Sequence, residues 1–127
     1  MDLTIAEVAQ RTGLTAHTLR YYERAGLLDP PERDWNGHRR YSERDVGMLG
    51  ILTRLRATGM PIAGMRRYAE LCRVGPETFD ERRELLEQHR REVLQRIADL
   101  QSDLTLIEHK ISVYGGAAAP VPDLASP

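Results

Sequence analysis

Two short runs concentrate the side chains that could do chemistry: Leu19-Arg20-Tyr21-Tyr22-Glu23-Arg24 and Arg39-Arg40-Tyr41. Guanidinium and phenol groups are hydrogen-bond donors, and grouped in this way they suit phosphate oxygens and acceptor edges of bases rather than the making and breaking of bonds. The sequence carries no glycine-rich phosphate loop, no paired metal motif and no nucleophile spaced from a base, so an enzyme is not expected. The single cysteine, Cys72, can form neither an intrachain disulfide nor a cysteine-paired zinc site, which fits a reducing compartment. His89 and His109 stand 20 residues apart. On one helix that is roughly 30 Å, so they could share a ligand only across two copies. No metal and no cofactor are expected.

Charge points the same way once the chain is divided. The net charge is −1, yet residues 1–75 hold 12 Arg against 9 acidic groups, while residues 76–127 hold 6 basic and 10 acidic groups. A front half at +3 would face phosphate and a rear half at −4 would face away from it. No apolar stretch approaches the length a bilayer crossing needs, and the chain opens on an amphipathic pattern without an apolar leader. A soluble, cytoplasmic protein is expected.

The elements that must hold these donors are legible from caps and periodicity. Thr4-Ile5-Ala6-Glu7 reads as a capping box that starts a short helix with Ile5, Val8 and Ala9 on its apolar stripe. Gly13 ends that helix, and Thr15 caps a second one running to Gly26, with Leu19 and Tyr22 on its core face. Two short helices about a tight glycine turn read as a helix-turn-helix. The Leu28-Asp29-Pro30-Pro31 run then breaks the backbone, and Trp35-Asn36-Gly37-His38 carries an Asn-Gly turn suited to a two-stranded hairpin, a wing whose return strand is Arg39-Arg40-Tyr41. Ser42 caps a third helix with Val46, Leu49, Leu52 and Leu55 inward, and a fourth runs from Pro61 to about Arg73.

From Pro76 a long helix is predicted, bounded by Gly75 before it and Gly115-Gly116 after it. Val93, Ile97, Leu100, Leu104, Ile107, Ile111 and Tyr114 alternate steps of four and three, the seam of a coiled coil. Leu86 and Phe79 extend one set of seam positions backwards, but Arg83 and Arg90 interrupt the other. At about 38 residues this helix would be roughly 55 Å long, too long for the preceding domain to cover, so it requires a partner helix. The expected organisation is a mainly α chain: a winged helix-turn-helix domain over 1–75, a coiled-coil helix over 76–114 and an Ala/Pro-rich disordered tail over 115–127.

The runs Thr4-Ile5-Ala6-Glu7-Val8-Ala9, Gly13-Leu14-Thr15 and Thr18-Leu19-Arg20-Tyr21-Tyr22-Glu23 with Gly26-Leu27, continued by Arg39-Arg40-Tyr41 and Asp45-Val46, resemble the signature of the MerR family of regulators over about residues 2–114. The resemblance implies a homodimer joined by an antiparallel coiled coil. Each protomer would insert its second helix into a major groove of a pseudo-palindromic promoter, whose spacer is distorted so that RNA polymerase can engage it. Carried over position by position, it places Thr15, His17 and Arg20 on the groove-facing part of the recognition helix and Tyr21 on a phosphate. Arg39, Arg40 and Tyr41 become wing contacts to the backbone, and Leu86, Val93, Ile97, Leu100, Leu104, Ile107 and Ile111 become dimer contacts. Tyr22 fits the core better than DNA, whereas Arg24 reads equally as a solvated residue or a ligand.

The effector is less legible. Metal-sensing relatives place cysteines at the start of the long helix and after it; here Thr78 and Phe79 stand at the first place and no Cys or His at the second. In length the chain is similar to short, aldehyde-responsive members without the large ligand-holding domain, but the third-helix cysteine of those members is replaced near Arg54. Three effector readings stay open: electrophile or thiol-stress sensing through Cys72, a small apolar ligand between the fourth and the long helix, and no ligand at all. Cys72 also reads simply as a small buried apolar residue. The rival to a DNA-binding regulator is a coiled-coil adaptor, which would explain the seam but not the capped helix pair and arginine-rich wing.

Overall fold

The computed structural model describes residues 2–29 and 31–116. Its elements run β1 (Leu3–Thr4), α1 (Ile5–Thr12), α2 (Ala16–Arg24), β2 (Glu32–Arg33), β3 (Arg39–Tyr41), α3 (Glu43–Ala57), α4 (Ile62–Val74), a 3-10 turn (Pro76–Thr78) and α5 (Phe79–Tyr114). Both halves of the first capping box form: the Glu7 amide donates to Thr4 Oγ1 at 3.2 Å, and the Thr4 amide donates to Glu7 Oε1 at 3.0 Å. A second box forms at α3, with Ser42 and Asp45 exchanging the same pair of bonds. Gly13 closes α1 with φ of 75°, where a β-carbon would strain the backbone, and its amide returns to Ala9 O at 2.9 Å. The chain is thereby turned within two residues onto Thr15, which caps α2.

The wing differs from a free two-stranded hairpin. β3 is the centre of a three-stranded antiparallel sheet ordered β1-β3-β2, with Leu3 opposite Tyr41, Thr4 opposite Arg40 and Glu32 opposite Arg40. A strand just ahead of the first helix therefore fastens the wing to the helix-turn-helix. The turn is also longer than a two-residue Asn-Gly turn. Asp34 Oδ1 accepts from the amides of Asn36 and His38, Gly37 N donates to Asp34 O at 2.8 Å, and Gly37 alone takes positive φ. That pattern is a turn closed by a left-handed glycine, which leaves Asn36 in an ordinary conformation.

A first compact unit spans Met1–His89 and a second begins at Arg90. The core of the first gathers Val8, Leu19, Tyr22, Leu27, Tyr41, Leu49, Leu52, Leu55 and Met65, with Leu85 and Leu86 packed on it half-buried. The unit thus runs beyond residue 75, and there is a physical reason. Thr78 Oγ1 donates to Leu71 O at 2.6 Å, and Arg82 donates to Leu71 O and Gly75 O, so the start of α5 is bonded to the end of α4. Of the expected seam positions, Leu86 is half-buried against the first unit's core. In the second unit Ile97, Leu100, Leu104, Ile107, Ile111 and Tyr114 are exposed along α5, and Val93 is half-buried. Helix α5 ends in a turn at Gly115-Gly116; the rest of the expected tail, 117–127, lies outside the described residues.

Candidate nucleic-acid interface

Helix α2 divides its nine residues between two tasks. Leu19 and Tyr22 are fully buried, and Arg56 of α3 hydrogen-bonds the Tyr22 hydroxyl, so Tyr22 belongs to the core as the spacing indicated. His17 and Arg20 are exposed, and Tyr21 is 40% exposed, tilted against Tyr22. Thr15 is exposed too, but its hydroxyl is engaged at home, accepting from the Thr18 amide at 3.1 Å and bonding the Thr18 hydroxyl. Its first role is to start the helix.

Glu23 fixes the wing to this helix. Its carboxylate accepts from Arg39 Nε at 3.0 Å and, in a very short bond, from the Tyr41 hydroxyl. Burial, and then the Glu23 carboxylate beside it, push the Tyr41 phenol well above its usual range, so it is a permanent donor. The expected wing contact of Tyr41 with DNA is corrected here: the residue is 1% exposed, because the middle strand must turn alternate side chains inward. Its place is the core, as the partner of Glu23. Sequence reasoning named Glu23 only within the signature and gave it no role. The spacing held a signal, since Leu19, Tyr22 and Glu23 at i, i+3 and i+4 put a carboxylate at the edge of the core face, where it needs donors.

The other end of α2 is held from α4. Arg66 Nε donates to Ala25 O at 2.7 Å, and Arg73 donates to Gly26 O at 2.6 Å while its Nε pairs with Asp29 at 2.6 Å. Guanidinium groups on carbonyls after a helix complement the negative end of its dipole. Nothing in the spacing of α4 distinguishes these two arginines from solvated ones.

Between α2, the start of α1 and the wing lies an open cleft of about 300 Å³ bordered by Arg20, Arg33, His38, Arg39 and Arg40. Arg40 is held by a bond to Asp2 O at 3.2 Å, and Arg33 by a bond to Gly37 O at 2.8 Å. The fold therefore gathers Arg20, Arg39 and Arg40 on one cleft; Thr15, His17 and Tyr21 are exposed on α2 without bordering it. A row of donors across a helix and a hairpin suits a polyanion strand.

The arrangement has known counterparts. The family described as MerR HTH family regulatory protein matches residues 3–72, and that described as MerR, DNA binding, matches residues 46–109. The chain belongs to the MerR family of transcriptional regulators. An HTH-type transcriptional regulator of Haemophilus influenzae is 38% identical over 119 residues, 94% of this chain and 88% of that protein. The regulator AdhR of Bacillus subtilis is 37% identical over 93 residues, 73% of this chain and 66% of its own length. Among solved structures, HiNmlR, a MerR family regulator lacking the sensor domain and bound to promoter DNA, superimposes with a TM-score of 0.80 at 38% identity, covering 92% of this chain and 93% of that one. A MerR family regulator of Listeria monocytogenes gives a TM-score of 0.83 at 34% identity over 89% of this chain and 86% of that one.

Other expected site residues have plain positions in this MerR protein. Cys72 is half-buried in α4, hydrogen-bonded with Tyr68, and borders a cavity of about 320 Å³ with Leu27, Leu28, Met48 and Arg73. His89 is buried with Nε2 2.7 Å from the Thr58 hydroxyl of α3. No helix among the described residues is long and apolar enough to cross a membrane.

Proposed function

We propose that this regulator works as a cytoplasmic homodimer, pairing through antiparallel α5 helices. Each protomer lays α2 in a major groove of a pseudo-palindromic promoter and sets RNA polymerase on a distorted spacer. The observation that carries the DNA-binding reading is the convergence of Arg20 with Arg39 and Arg40 on one cleft beside the exposed residues of α2. Thr15, His17, Arg20 and Tyr21 are the reading and anchoring residues of the helix, and Arg39 and Arg40 are the wing's phosphate ligands. The exposed apolar seam of α5 supports the dimer, and the promoter-bound HiNmlR relative supports the choice of DNA.

The test is gel-shift titration at several salt concentrations on a duplex selected from a random-sequence pool with the full-length chain. Affinity should fall steeply with salt, by a slope of about −0.9 per phosphate contacted, and the selected duplex should outcompete random DNA. A coiled-coil adaptor would show neither. Arg20→Ala should weaken the selected duplex by about 1–3 kcal/mol and flatten discrimination at one base position if Arg20 reads a base edge. Equal loss on selected and random duplexes, with a shallower salt slope, would assign Arg20 to phosphate instead. Recruitment of polymerase is checked by in vitro transcription from the selected site.

Of the effector readings, the electrophile is the one put to a direct test, since Cys72 borders an open cavity. A small aldehyde or maleimide should modify Cys72, read as added mass on the intact protein, and change affinity for the selected duplex, whereas Cys72→Ser should bind DNA normally and ignore the reagent. Modification that leaves DNA affinity unchanged would leave Cys72 a packing residue.

A further inference from the structure

Trp35, the chain's single tryptophan, is 94% exposed at the tip of the β2–β3 turn. We infer that Trp35 is a DNA-contacting residue, packing its indole on the deoxyribose walls of the duplex where the backbone leaves the Arg20–Arg40 cleft; the inference rests on the DNA-binding reading above. A lone exposed apolar residue is ordinary on a protein surface. What singles this one out is its mounting and its neighbours.

The mounting is stiff. Asp34 Oδ1 accepts from the amides of Asn36 and His38, Gly37 N closes onto Asp34 O, and Arg33 bonds Gly37 O at 2.8 Å. The hydrogen bonds of the Asn36 and His38 amides hold the Asp34 carboxyl below its usual range, so this clasp keeps its charge. A large ring held out on a fastened turn loses little conformational freedom when it is covered. The Asp34 charge is turned into the clasp by the Asn36 and His38 amides, and the other side of the turn is basic: Gly37 and His38 border the cleft with Arg20, Arg33, Arg39 and Arg40, although Trp35 itself does not line it. A backbone strand seated on those arginines passes the turn next. There a flat apolar face meets sugar rings, and the indole N–H meets a phosphate or minor-groove acceptor. A protein partner such as a polymerase surface would not account for the cluster of arginines on the cleft that this turn borders.

Because no other tryptophan contributes, intrinsic emission reports this position alone. Titrating the full-length chain with the selected duplex should shift or quench the emission and protect it from acrylamide, and Trp35→Ala should weaken binding about tenfold with an unchanged melting temperature. Trp35→Phe should recover most of that loss. Unchanged emission, with Trp35→Ala binding as tightly as the parent, overturns the inference while leaving DNA binding intact. Normal DNA affinity with reduced in vitro transcription in Trp35→Ala overturns it in favour of a polymerase contact. Failure of the parent itself to bind any duplex removes both this inference and the reading it rests on.

Discussion

Replacing Ile97 and Leu104 together by glutamate is expected to turn the proposed dimer into a monomer and weaken binding to the selected duplex by about two orders of magnitude or more. The two residues are 45% and 52% exposed on α5, so nothing within the chain requires them for folding of the first unit. In a twofold pairing each substitution occurs twice. Four apolar side chains worth about 2 kcal/mol each on burial amount to about 8 kcal/mol, nearly six decades in the dimer dissociation constant. DNA affinity then falls because a second half-site is no longer bound at the high local concentration that the joined partner provides. Sedimentation reads the first effect and gel shift the second. A doubly substituted protein that remains dimeric, or a monomer that binds like the parent, would refute the role given to the seam.

Glu23→Ala is expected to destabilise the first unit as strongly as truncating a large core side chain. The carboxylate has a 10% exposed side chain and takes two donors, one of them a guanidinium. Its removal strands a buried phenol hydroxyl, which costs about 1–3 kcal/mol, and breaks a charge-assisted bond worth about 1.5–3 kcal/mol, for a loss of about 3–5 kcal/mol. For a unit of this size that lowers the melting temperature by roughly 15 °C or more. Tyr41→Phe removes only one donor and leaves Glu23 paired with Arg39, so it should cost about 1–2 kcal/mol. Combining Tyr41→Phe with Glu23→Gln should then cost less than the sum of the two single changes, since each single change already breaks the bond they share. Strict additivity in thermal or urea unfolding would mean that Glu23 and Tyr41 act independently.

How far the molecule was legible depends on the range of the interaction. Caps and turns are local, and Thr4-Glu7, Gly13, Thr15 and Ser42-Asp45 all form as their spacing predicts. The period of α5 is also a local property, and one continuous helix forms over Phe79–Tyr114 as the pattern predicts. Interactions between distant parts of the chain were read less well. β1 pairs with a strand nearly forty residues later, so a two-residue strand could not be recognised until the wing lay beside it. A phenol beside two arginines looks like a donor set in the sequence, but strand alternation turns Tyr41 inward. Glu23, Arg66 and Arg73 bond groups 16, 41 and 47 residues away, and neither periodicity nor caps report such partners. The family resemblance implies the reading positions on α2, while the ties that hold α2 in place are visible only in the fold.

The division of α2 into an outward side and an anchored side bears on how such a regulator changes over generations. Positions 17, 20 and 21 face solvent, while Leu19, Tyr22 and Glu23 hold the domain together. On the proposed reading, substitutions on the outward side would alter which promoter is preferred at little thermodynamic penalty, and those on the anchored side would be filtered out by misfolding before preference is ever tested. Retargeting to a new gene is thus open to single steps along a nine-residue helix, with the scaffold left untouched.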